Sequence, residues 1–131
     1  MAPMEVTSMQ TRGIEVVAIS GKIVGSAQSS QEFHDLIRSL VMSGKRKFVI
    51  DLTETPWTNS LGVGMLMVAY TSVKNHGGEV VLANATERIR DLLKVTRLYQ
   101  VFEVFDSLPA AVDRLATMGN EKEGHDPPTQ P

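Results

Sequence analysis

Residues 57–70 read "WTNSLGVGMLMVAY", and the fold turns on what that stretch forms. From Leu61 to Tyr70 there is no charged side chain, and Lys74 is the first to follow. Thr58, Asn59 and Ser60 all favour the start of a helix, so the run predicts an apolar helix that begins near Ser60. Gly62 and Gly64 sit in its first turns. Each costs about 1 kcal/mol relative to alanine inside a helix. A chain that keeps both beside Ser60 needs its backbone or its surface bare there. A helix that covers a sheet needs only one apolar stripe, and Leu66, Ala69 and Val73 supply it. Some of Leu61, Val63, Met65, Met67 and Tyr70 must then face a neighbouring helix or solvent. Contiguous exposed apolar surface on a small domain marks a partner site, and Val63 and Met67 would be its anchors if they point outward.

Working outward, the helix runs to about His76 and closes at Gly77-Gly78. Before it, "KFVIDL" (residues 47–52) is almost continuously apolar, as in a strand buried on both faces. After it, "EVVLAN" reads the same way. Phe33, Leu36, Ile37, Leu40 and Val41 fall on one face of a helix that starts near Gln31 and stops at Gly44. The "GSAQSS" before it reads as a polar connection. "IEVVAISG" (residues 14–21) is a strand, paired as a hairpin with "MEVTSMQ" through Arg12-Gly13. "TERIRDLLKV" is a helix capped by Thr86, with Ile89, Leu92 and Leu93 inward. "VFEVFD" (residues 101–106) is a strand, and "SLPAAVDRLATM" a last helix with Pro109 in its first turn.

The order β-β-α-β-α-β-α-β-α predicts an α/β fold with a mostly parallel sheet. The expected domain is residues 1–118. Residues 119–131, "GNEKEGHDPPTQP", have almost nothing to bury and are expected to be a disordered tail.

At 131 residues and a formal net charge of −2, one core suffices and nothing draws the chain to nucleic acid or an anionic membrane. The run Lys45-Arg46-Lys47 reads as a solvated turn. There are no cysteines, which fits a reducing cytoplasm and excludes thiolate chemistry. No apolar run reaches the roughly 18 residues that span a bilayer. The three histidines, His34, His76 and His125, fall on different elements, so no metal site is expected. "SGK" (residues 20–22) lacks the rest of a P-loop, and Ser60 lacks the nucleophile-elbow glycines. Asp51 and Glu54 could pair near a strand end, but acids there are mostly solvated. No catalytic residue, cofactor or enzyme activity is expected.

The whole set of segments resembles a STAS domain, specifically the bacterial anti-sigma factor antagonists. That family leads a strand into a D-S-[ST]-G-L-G turn that opens an apolar helix, followed by a Gly-Gly pair and an apolar strand. Here "NSLGVGML" and Gly77-Gly78-Glu79 stand in those places. "SGKIV" stands for the family's G-E-[LI]-D turn, and "IRDLLKVTRLYQVF" matches near the end, so the likeness covers about residues 5–117. It implies the STAS fold, a mixed sheet of about five strands with four helices.

It also implies a cycle. The unmodified protein binds an anti-sigma factor that is an ATP-dependent serine kinase, and the sigma factor is freed. The kinase phosphorylates the serine of the turn, here Ser60, and binding is lost until a serine phosphatase restores it. The partner surface implied is Lys22 and Val24 of the first turn with Thr58, Asn59 and Leu61 of the second. Gly62, Val63, Gly64 and Met67 of the helix complete it. The chain departs from the pattern at Asn59 and Val24, where the family carries acids that contact the kinase, and more mildly at Leu61. Two alternatives stay open: an unphosphorylated STAS scaffold, weakly homo-oligomeric, with Ser60 as a helix cap only, and a small-ligand or nucleotide-binding STAS domain that uses the anion-attracting helix N-terminus.

Overall fold

The structure, a computed structural model, describes residues 5–21 and 27–125. Its elements are β1 (Glu5–Thr11), β2 (Ile14–Ser20), α1 (Ala27–Met42), β3 (Lys47–Glu54), α2 (Ser60–Asn75), β4 (Glu79–Ala83), α3 (Glu87–Val95), β5 (Val104–Phe105) and α4 (Leu108–His125). One 3-10 turn, Leu98–Gln100, precedes β5. The strands lie side by side in chain order. β1 is antiparallel to β2, and the other neighbours are parallel. This is the expected mixed, mostly parallel five-stranded sheet with four helices.

The two-residue loop between β1 and β2 has positive φ at both positions, 53° at Arg12 and 78° at Gly13. That conformation matches the twist of the strands it joins. The inner strands are largely apolar, apart from Glu15 in β2 and the polar residues of β3, and both sheet faces are covered. Register aligns Val17, Ile50 and Leu82 in one row and Val16, Val49 and Val81 in the next. The first row packs with Phe33, Ile37, Leu66, Ala69 and Ile89 of α1, α2 and α3. The second packs with Ala111, Val112 and Leu115 of α4.

α2 closes as its glycines predict. The Gly78 N–H donates to the Val73 carbonyl at 2.9 Å, the Gly77 N–H donates to that of Lys74 at 3.0 Å, and Gly77 takes φ 83°. These are the two bonds of a Schellman stop.

Three boundaries differ from expectation. α1 starts at Ala27, so residues 27–30 of "GSAQSS" are helical. Ala27 and Gln28 are good helix formers, and polar side chains do not end a helix. β5 keeps only Val104–Phe105 of the expected six residues. Phe102 is buried in the larger core instead, with Val101 packed against it, so the apolar pattern there serves a turn and not a ladder. The helical backbone of α4 runs to His125, past the expected domain end at residue 118 and into the expected tail. Glu121, Lys122 and Glu123 sustain a helix, and the next proline comes at 127. Residues 126–131 lie outside the described residues.

Candidate functional site

The loop from Thr55 to Asn59 carries the chain from the end of β3 into α2, and it is fastened from several sides. The Gly21 N–H donates to the Glu54 carbonyl at 2.9 Å, which ties β2 to the end of β3. The buried Thr55 hydroxyl donates to the Ile19 carbonyl at 2.6 Å, and its N–H donates to Leu52 at 3.0 Å. The Thr86 hydroxyl donates to the Pro56 carbonyl at 2.9 Å while accepting from the Ile89 N–H at 3.3 Å as the cap of α3. The Arg88 guanidinium stands 6.0 Å from the Trp57 ring centre, within the range of a cation–π contact. Asp51 is structural too, accepting from the Thr53 hydroxyl at 2.6 Å and the Asn84 amide at 3.2 Å.

Asn59 is the N-cap of α2. Its backbone is extended (φ −118°, ψ −170°), and its side-chain oxygen accepts from the Gly62 N–H at 3.1 Å. Its carbonyl accepts from the Val63 N–H at 3.0 Å. Ser60 is therefore the first helical residue and not the cap. Its side chain is exposed, whereas Thr58 is turned inward and buried. Asparagine caps as well as aspartate but brings no charge. No acid stands in the first turn of α2. The partial positive charge of the helix N-terminus, about half an elementary charge, is thus uncompensated beside the Ser60 hydroxyl.

Along α2, Leu66, Ala69 and Val73 face the sheet as expected. Val63 is buried as well, and Met67 is half-buried against the main core. Val63 thus points inward, whereas Met67 also lines a hollow beside α1. Val63 stands three residues before Leu66, on the same stripe, and a helix apolar on every side gives no phase from which to read this. The outward side chains are Leu61, 43% exposed, and Val68, 47% exposed, with the exposed Gly64 between them. Val68→Lys is expected to leave stability within about 0.5 kcal/mol, whereas Met67→Lys should cost roughly 1–3 kcal/mol. Urea unfolding of the two variants checks the assignment.

Leu61, Gly64 and Val68 border a groove of about 540 Å³ between α2 and α1, with Ser60 at one end and Ser30 and His34 on the far wall. A second hollow of about 430 Å³ continues it toward Thr71, Asn75 and His76, sharing His34 and Val68. Among the described residues, Ser30 Oγ and His34 Nδ1 are buried with no hydrogen-bond partner.

Of the residues expected at the partner surface, Ser60, Leu61 and Gly64 are exposed together, and Asn59 is half-buried beside them. Thr58, Gly62 and Val63 lie beneath. Lys22 and Val24 lie outside the described residues. Val68, Ser30 and His34 were not expected; only the i, i+7 spacing of Leu61 and Val68 hints at them. Among the described residues no three His, Asp or Glu side chains gather to hold a metal, and no helix is long and apolar enough to cross a membrane.

The chain is similar to known proteins over most of its length. It is 25% identical over 114 residues to BtrV of Bordetella bronchiseptica, described as a candidate anti-sigma factor antagonist, covering 87% of this chain and 97% of that one. Its fold matches an anti-sigma factor antagonist from Mycobacterium paratuberculosis with TM-score 0.74 at 20% identity, over 86% of this chain and 94% of that one. It also matches the anti-sigma factor antagonist SpoIIAA in its unphosphorylated form, with TM-score 0.72 at 16% identity, over 88% and 97% of the two chains. The phosphorylated form of SpoIIAA, a Bacillus cell fate determinant, gives TM-score 0.64 at 17% identity, over 86% and 98%. The sequence model of the STAS domain matches residues 5–111. With its strand order, its capped α2 and this match in agreement, the chain belongs to the STAS domain family.

Proposed function

We propose that this protein is an anti-sigma factor antagonist that binds a serine-kinase-type anti-sigma factor through the start of α2 and is switched off by phosphorylation of Ser60. The observation that carries the reading is the division of labour at the helix start. Asn59 takes the capping bond, which leaves the Ser60 hydroxyl exposed on a loop anchored to two strands and a helix. The relatives support it: several are named anti-sigma factor antagonists, and one of them has been solved in a phosphorylated form.

The chemistry belongs to the partner, which supplies ATP and transfers its terminal phosphoryl group to Ser60 Oγ. A phosphatase reverses the step by hydrolysis. This chain contributes position and surface, with no turnover, cofactor or nucleic-acid contact of its own, and it acts in the cytoplasm where sigma factors work.

The test is incubation of the purified protein with the purified serine-kinase-type anti-sigma factor of the same organism and ATP, followed by phosphopeptide mass spectrometry. One phosphate at Ser60, and none on Ser60→Ala, is the expected result. Tight binding with no phosphate on any residue would favour the scaffold reading, for which the neutral Asn59 speaks.

A further inference from the structure

Gly64 has no internal reason to be glycine. Its backbone is helical, it is exposed, and among the described residues a Cβ built on it would meet nothing within 4 Å. Gly77 differs, because it needs a left-handed backbone, and so does Gly78, where a Cβ would collide with its neighbours. Alanine at 64 would be the better helix residue and would fit. Something outside the described residues therefore uses the bare backbone, as glycine permits when another backbone comes close.

We infer that the groove between α1 and α2 seats an α-helix of the anti-sigma partner, whose backbone crosses α2 at Gly64. This rests on the antagonist reading above and names how that partner docks. The two hollows share His34 and Val68, so they form one channel from Ser60 to His76. α2 has 16 residues, about 24 Å at the helical rise, which is four turns of a docked helix. A small ligand would occupy one hollow and leave the other open. The channel is mainly apolar along its length: Phe33, Leu61, Met65 and Val68 line the Ser60 end, and Met67 and Val68 line the other beside Thr71, Asn75 and His76. An amphipathic helix laid in a groove by its apolar face has that arrangement.

Ser60 stands at one end of the channel, so a phosphate there would oppose a desolvated part of the contact.

The test is Gly64→Ala, with the purified serine-kinase-type anti-sigma factor as the probe. The melting temperature should be equal to or above wild type, and the affinity by titration calorimetry tenfold to a hundredfold lower. In the wild-type complex, amide NMR signals of Ser30, His34, Gly64 and Thr71 should all shift. Wild-type affinity in Gly64→Ala, or shifts confined to Ser60 and its loop, would overturn the groove while leaving the antagonist reading intact. A change in self-association of the chain alone would assign the groove to a second copy and overturn the inference. Failure of the unmutated protein to bind would overturn both.

Discussion

Ser60→Asp should weaken the complex with the anti-sigma partner by about a hundredfold while leaving the melting temperature unchanged or slightly raised. Within the protein the new carboxylate meets the N–H groups of the first turn and the positive end of the α2 dipole. An acid in that place contributes about 0.3–1 kcal/mol of stability. The exposed Ser60 has open space around it, so nothing must move to admit the charge. The penalty falls on the complex. Leu61, Gly64 and Val68 continue from Ser60 as an apolar strip, and a partner that covers them also strips water from residue 60. A desolvated charge without a counter-charge costs several kcal/mol, and each 1.4 kcal/mol is tenfold in affinity. A phosphate, with about −1.5 to −2 charges, should act more strongly still. Ser60→Ala should bind as the unmodified protein does. Calorimetric melting and titration of the two variants decide the matter. Unaltered affinity in Ser60→Asp would reject the switch, and a large fall in melting temperature would reject a purely interfacial cause.

The largest loss of stability is expected at the other end of α2. A Cβ on Gly78 would come within 2.7 Å of Val73 Cγ1 and closer still to the Arg46 carbonyl oxygen. That oxygen cannot move aside. It accepts the Glu79 N–H at 2.8 Å, and the Arg46 side chain is bonded to the Val41 and Lys45 carbonyls at 2.8 Å each. Gly78→Ala should therefore cost about 3 kcal/mol or more, at the upper end of overpacking effects. That lowers the melting temperature by roughly 10 °C for a domain of this size. Gly77→Ala meets no neighbour and bears only the left-handed backbone, about 1–2 kcal/mol. A Gly78→Ala variant as stable as Gly77→Ala would show that the turn relaxes.

β3 and β4 were legible because strands covered on both faces form almost continuous apolar runs, and β2 because it is β-branched and half alternating. The hairpin was legible from Arg12-Gly13, and the helix stop from Gly77-Gly78. The face of α2 was not. When every side of a helix is apolar, periodicity has no phase, and Val63 and Val68 cannot be told apart by type. Burial separates them only after α1 is packed alongside. The cap was ambiguous because Thr58, Asn59 and Ser60 are all capping types; the orientation of the loop decides for Asn59. That orientation depends on the long-range bonds from Thr55 to Ile19 and from Thr86 to Pro56. β5 was overextended because Phe102 serves the core from a turn with the same hydrophobicity it would show in a strand.

Among the described residues, α4 is the helix that covers the second sheet face, and it is the last element to be synthesised. Ile14, Val16, Val49 and Val81 have all been added once translation passes β4, which ends at residue 83, yet their cover is complete only with Leu115. That is 115 − 83 = 32 residues of further elongation. At 5–20 residues per second the delay is about 2–6 s. Until α4 follows, that face of the sheet has no cover among the described residues. The loop bearing Ser60 emerges well before this, but on a half-closed scaffold. Ser60 is thus synthesised long before the scaffold that holds it is closed, and closure of that sheet face waits for α4.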